Sequence, residues 1–142
     1  MNIAKGTFEV DMQPQADADH AMGRMLLNKK YMGEMRGDAQ GQMLSHRIPQ
    51  KGAGYVAMER LNVQLKDLSG SFMLQHFGKM TPKSQDLTVD IIPGSGTGDL
   101  AGITGSLEIL INSGNHYYTL KYSLPEDPSA KVADKEKALI DS

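Results

Sequence analysis

The sequence predicts an all-β fold: a small antiparallel eight-stranded β-barrel followed by a polar, partly helical C-terminal tail. Three observations carry this. Apolar residues recur with period two along most of the chain, the mark of strands with one buried face. Fifteen glycines are spread along the whole length, and turn compositions such as "PQKGAG", "GKMTPKS" and "NSGN" separate the alternating runs. The runs are short and regularly spaced, as in sandwiches and barrels, and eight strands that close enclose room for side chains or one small ligand.

The runs can be taken in order. In "GTFEVDM", Phe8, Val10 and Met12 share one face and Thr7, Glu9 and Asp11 the other. A second candidate strand lies between Met22 and Lys30. In "MGEMRGDAQGQML", Met35, Gly37, Ala39, Gly41 and Met43 alternate with polar residues. "GYVAMERL" and "LSGSFMLQHFG" follow, then "DLTVDII", "ITGSLEILI" and "HYYTLKYSL". "LSGSFML" (Leu68 to Leu74) echoes "ITGSLEI" (Ile103 to Ile109), so Leu68, Phe72 and Leu74 should face the core as Ile103, Leu107 and Ile109 do. The same alternation puts His76 on the apolar face.

At 142 residues, one domain is expected: a barrel over residues 1–125 and a charged tail over 126–142. In the tail, Asp127 before Pro128 reads as a helix start. A short helix from about Pro128 to Ile140 is predicted, although its thin apolar stripe is nearly as compatible with a frayed end.

Composition narrows the function classes. Fifteen basic and 17 acidic residues give a net charge of −2, unlike the basic footprint of a nucleic-acid binder. The absence of cysteine excludes disulfides, zinc thiolate sites and thiol catalysis, and fits the cytosol. Residues 1–12 carry charges where a signal peptide would be apolar, and no apolar run approaches the roughly 20 residues that span a bilayer. A soluble cytoplasmic protein is the expectation, with neither nucleic acid nor membrane as partner.

The stretch "IIPGSGTGDLAGITGSLEI" (Ile91 to Ile109) looks at first like a phosphate loop. A Walker loop needs Lys and Ser or Thr after its last glycine; here Asp99 and Leu100 follow Gly98, and Asp99 would repel phosphate. "GTGDLA" fits a loose dinucleotide fingerprint, but Gly102 to Gly105 break the helix that such a site requires. The stretch therefore reads as a glycine-built turn between two core strands, and no cofactor is expected.

"VDIIPGSGTGDLAGITGSL", with "GSFMLQHFG" before it and "GNHYYTLKYSL" after it, resembles the bacterial family called domain of unknown function 3224. The combination of "PGSGTG", "LAGITG" and H-Y-x-L-x-Y in this order carries the resemblance, which runs from Gly6 to Leu124. It implies a barrel related to that of allene oxide cyclase. It implies no activity, since fold analogy alone does not.

Six residues are candidates for a ligand-binding site. On the last strand His116, Tyr118 and Tyr122 fall in phase with Leu120 and Leu124, so three polar tips project from an apolar wall. The alternative is that the tyrosines fill the core and hydrogen-bond at its edge. His76, on an apolar face, is either an acid–base group or a satisfied core histidine. Glu59 shares a face with Tyr55, Ala57 and Leu61, where a carboxylate needs a partner; Tyr55 or a histidine would serve, making a proton-handling trio. Alternatively that strand is an edge and Glu59 meets solvent. His20, His46, His76 and His116 lie far apart in sequence and no H-x-H pair occurs, so no metal site is expected. All ten methionines precede residue 81, which suits an irregular cavity, gap filling or an oligomer interface.

Two functions are compatible with these features. One is a barrel that binds a small apolar ligand inside, with isomerase- or cyclase-like chemistry. The other is a non-enzymatic interaction module with a filled core, working as a homo-oligomer.

Overall fold

The computed structural model describes residues 1–16 and 21–125, and the predicted tail helix and His20 lie outside them. The strands are β1 (Asn2–Gln15), β2 (Gly23–Gly33), β3 (Met35–Ile48), β4 (Gly52–Leu65), β5 (Leu68–Thr81), β6 (Ser84–Ile91), β7 (Thr104–Asn112) and β8 (Asn115–Ser123). They pair antiparallel in sequence order and close into a barrel when β8 returns to β1, with Ala4 opposite Leu120 and Phe8 opposite His116. The predicted eight-stranded all-β barrel is therefore the fold. Among the described residues the one helical element is a single 3-10 turn, Gly98–Leu100.

The alternation read from the sequence sets the inward face. Phe8, Met35, Ala39, Ala57, Leu61, Phe72, Leu74, Val89, Leu107 and Leu120 are all buried. The echo between β5 and β7 holds: Phe72, Leu74, Ile103 and Leu107 are buried, and Leu68 and Ile109 pack against them.

The two ends of the barrel differ. At the end formed by the start of β1 and the close of β8, Tyr31, Met35, Leu65, Leu100, Ile103 and Leu120 are at most 1% exposed. This packed end is the floor. Residues 92–103, between β6 and β7, close it and do more than turn the chain. β6 covers β5 only from Leu74 onward, leaving the first residues of β5 without a strand partner on that side. The loop supplies the missing bonds. Thr97 N–H donates to the Ser71 carbonyl at 2.8 Å, and Thr97 Oγ1 accepts from Ser71 N–H at 3.1 Å. Ser95 Oγ accepts from Met73 N–H at 3.0 Å, and Asp99 Oδ2 from Ser69 N–H at 3.0 Å. Gly70 permits this approach, since a Cβ there would lie 2.1 Å from the Thr97 carbonyl oxygen. Asp99, the residue that argues against phosphate, thus has a structural partner.

The opposite end is the mouth. The inward positions there are Met12, Met25, Met43, Tyr55, Leu87, Ile111 and His116, none of them fully buried. β6 and β7 share a single pairing, Asp90 with Ser106, so toward the mouth no ladder joins them.

Candidate functional site

The site is built where packed floor gives way to open mouth. β4 brings Glu59 inward, opposite Gly41 of β3 and Leu74 of β5. β2 brings Lys29 and Tyr31 inward beside it, because Leu27, Lys29 and Tyr31 alternate in phase on one face. β5 adds His76, opposite Ala57 and one alternation from Leu74.

Glu59 is 1% exposed and accepts three bonds from two other strands, β2 and β5. Lys29 Nζ lies 2.6 Å and His76 Nε2 2.7 Å from Oε2, and the Tyr31 hydroxyl donates to Oε1. Burial by itself would raise this carboxyl, but the His76 hydrogen bond and the Lys29 charge outweigh it and hold it at about 2. Glu59 is therefore ionised and held by three donors. The Lys29 ammonium sits 5.0 Å from the centre of the Phe8 ring, which adds a cation–π contact. Burial, then the Glu59 charge, pushes the Tyr31 phenol well up. Among the described residues no buried side-chain polar atom lacks a hydrogen-bond partner.

The carboxylate also fixes its histidine. The imidazole nitrogen facing an ionised carboxylate carries the hydrogen, so neutral His76 has its lone pair on Nδ1. Nδ1 lies 3.4 Å from the Tyr55 hydroxyl, a long contact that a ligand can divide. Tyr55 is pushed up to about 12, by burial first and Glu59 second, and so is a neutral phenol able to donate. Gly78, opposite Tyr55, leaves space for the ring: a Cβ there would lie 2.4 Å from Tyr55 Cε1.

Above these groups lies a chamber of about 210 Å³, walled by Val10, Leu27, Ala57, Leu87 and Ile109, with Tyr55, His76, Lys29 and His116 adding polar atoms. Met12, Met43 and Tyr55 also line a wider cleft of about 580 Å³ at the rim. The chamber alone is small for a ligand site; joined to the cleft it lies in the usual range of roughly 300–1,000 Å³. The larger space is the entrance, because Lys29 and His76, the buried polar residues that line either space, both line the smaller one.

Of the six sequence candidates, Tyr55, Glu59 and His76 come together, and the partner predicted for Glu59 among the histidines is His76. His116 lies across the chamber with its ring 5.1 Å from that of Phe8, and it makes no hydrogen bond with His76. Tyr118 and Tyr122 sit in the floor. The Tyr118 hydroxyl donates to the Met35 carbonyl at 2.7 Å and accepts from Met35 N–H at 2.9 Å, tying β8 to the start of β3. Burial raises its phenol, against the lowering effect of the Met35 bond. Tyr122 is buried and has no side-chain hydrogen bond to another described residue. Lys29 and Tyr31 are the members that the sequence reading missed. Their signal was a lysine in phase with Leu27 and Tyr31.

The methionines divide by position. Met12, Met43 and Met80 line the rim cleft, Met35 is fully buried in the floor, and Met22 and Met58 are about half exposed on the outside. No group of three or more His, Cys, Asp or Glu able to hold a metal occurs among the described residues, and no helix among them is long and apolar enough to cross a membrane.

Comparison with known proteins places the chain. No curated protein matches it in sequence. A crystal structure of a protein of unknown function from the DUF3224 family of Shewanella oneidensis MR-1 is 36% identical, with a TM-score of 0.84, over 89% of this chain and 99% of that one. The model of the family described as "Protein of unknown function (DUF3224)" matches residues 4–122. The matched span takes in all but the ends of the barrel, and the chain belongs to this family.

Proposed function

We propose that the barrel binds a small, largely apolar ligand in its upper chamber, with the ligand's polar end at Tyr55 and His76. The observation that carries this is the chamber itself: apolar walls around a few converging polar tips, beside a wider entrance. Glu59 lies behind His76 and orients it. The same tips equip the chamber for proton transfer of the isomerase or cyclase kind. A cytosolic setting, with which the absence of cysteine is compatible, belongs to the same reading. Native mass spectrometry of freshly purified protein, with methyl NMR during titration by 2-cyclohexen-1-one, tests it. A retained small-molecule adduct, or shifts confined to Val10, Leu27, Ala57 and Ile109, is expected. Neither an adduct nor a shift would contradict the proposal.

A second reading, association with another copy of this chain, is supported by the outer surface. Leu44, Val56 and Phe77 adjoin across β3, β4 and β5 and are 40–53% exposed. The neighbouring row, Gln42, Met58 and Gln75, is uncharged, and the nearest ammonium, Lys79, lies over the Phe77 ring at the edge of the patch. Light scattering should show a dimer that Val56→Lys dissolves; a monomer at every concentration would refute it.

A further inference from the structure

We propose that His76 and Tyr55 form an acid–base pair for neutral, enolisable ketones, shifting the double bond of a β,γ-unsaturated ketone into conjugation. The inference rests on the chamber reading above and adds a substrate class and a reaction.

Charge selects the class. Lys29 is the one lysine or arginine lining the chamber, and its ammonium is engaged by Glu59 at 2.6 Å. An anionic ligand would find Lys29 already paired, and a cationic one would find no carboxylate among the residues that line the chamber. A neutral molecule with one polar atom is left. The apolar walls and the volume of about 210 Å³ suit a monocyclic ketone.

The geometry selects the reaction. His76 presents Nδ1 as a lone pair, with its other nitrogen held by Glu59 at 2.7 Å. The Tyr55 hydroxyl stands 3.4 Å away. In a ketone the oxygen and the α-carbon are separated by one carbon, so two tips this close address both. Imidazole is a base of moderate strength, so the carbon acid must be activated by its carbonyl. Nδ1 takes the α-proton; the C–H bond breaks, and its electron pair spreads along the dienolate to the oxygen, which accepts a hydrogen bond from Tyr55. The imidazolium, steadied by Glu59, returns the proton to the γ-carbon. The double bond has moved, His76 is regenerated and no co-reactant is consumed. Glu59 is a positioning residue, since it touches His76 and not the substrate.

His116, the other imidazole at the chamber, stacks on Phe8 and has no carboxylate partner among the described residues. It therefore lacks the device that fixes a tautomer, and the base is assigned to His76.

The test is the conversion of 3-cyclohexen-1-one to 2-cyclohexen-1-one by the full chain, followed by the rise in ultraviolet absorbance of the conjugated product. A rate on the order of 10²-fold above free imidazole at equal concentration is expected from a positioned base. His76→Gln should bring it down to that reference and Tyr55→Phe should lower it about tenfold, while Glu9→Gln, exposed on the outer face of β1, leaves it unchanged. Tyr55→Phe keeps the ring and gives a second readout if His76→Gln does not fold. Glu59→Gln should also move the His76 ring ¹⁵N shifts away from the pattern of an Nε2–H tautomer. If 2-cyclohexen-1-one shifts the chamber methyls but isomerisation does not exceed the imidazole reference, this inference is overturned and the ligand chamber stands. If the probe neither binds nor reacts, both fall. Activity that survives His76→Gln overturns the assignment of the base.

Discussion

The floor and the mouth of this barrel are built from the same eight strands and the same alternating pattern, yet they do different work. In the floor the inward positions carry Phe72, Leu61, Leu65 and Leu120, all at 0% exposure, and the 92–103 loop adds Leu100 and Ile103. In the mouth the corresponding positions carry Met12, Met43, Tyr55 and His116, and a cavity remains. The boundary between them is the Glu59 network, which is buried like the floor and polar like a site. Strand pairing thus sets the cylinder, while side-chain size at each level decides whether it is filled.

Substitutions should separate the two halves. Phe72→Ala, in the floor, should cost about 4 kcal/mol, while Leu87→Ala, at the chamber wall, should cost less than about 1 kcal/mol because the site is already partly open. Denaturant unfolding of both variants measures this, and equal losses would erase the distinction.

The boundary comes next in size. Glu59→Gln leaves Lys29 buried without its counter-charge and should cost about 3 kcal/mol. Replacing both, Glu59→Met with Lys29→Met, should recover most of that loss. A double variant no better than the single one would show that the ion pair is not the source of the cost.

Acid probes the same group without mutation. Glu59 is held at about 2 against an ordinary 4.5, so the folded state binds its proton less readily than the unfolded chain does. The stabilisation is fully present above pH 4.5 and is lost as the pH falls toward 2, by about 3 kcal/mol. The pH dependence of stability in that window should flatten in Glu59→Gln; an unchanged slope would assign it to other carboxyls.

The smallest contrast lies within the floor. Tyr118→Phe removes a hydroxyl bonded to both the N–H and the carbonyl of Met35 and should cost about 2 kcal/mol. Tyr122→Phe removes one with no such partner and should cost less than about 0.5 kcal/mol. Thermal unfolding orders the pair.

How much of this was legible in sequence follows from how local each feature is. Period two is a property of neighbouring residues, so the barrel, its inward face and the inward phase of His76 could be read, while Glu59 stood open between a buried position and an edge strand. The pairing of Glu59 with His76 could be anticipated because both stood on apolar faces. Lys29 and Tyr31 were harder. In "MLLNKKYM" two leucines and then two lysines are adjacent, so both phases of β2 look alike until β1 and β3 fix which one faces inward. The 92–103 loop showed its glycines but not its role, because its bonds to Ser69, Ser71 and Met73 join residues more than twenty positions apart. Tyr118 and Tyr122 share a face with His116, yet β8 climbs from mouth to floor along its length. One strand thus delivers its first aromatic to the chamber and the others to the packed end.

The central claim, a barrel filled below and hollow above, is tested most directly by methyl NMR under xenon pressure. Xenon enters apolar voids and leaves packed cores alone. Graded, saturable shifts are predicted for Val10, Leu27, Ala57, Leu87 and Ile109, with Leu61, Leu65, Leu100 and Leu120 unmoved. Shifts absent from the first group, or equal in the two groups, would contradict the account.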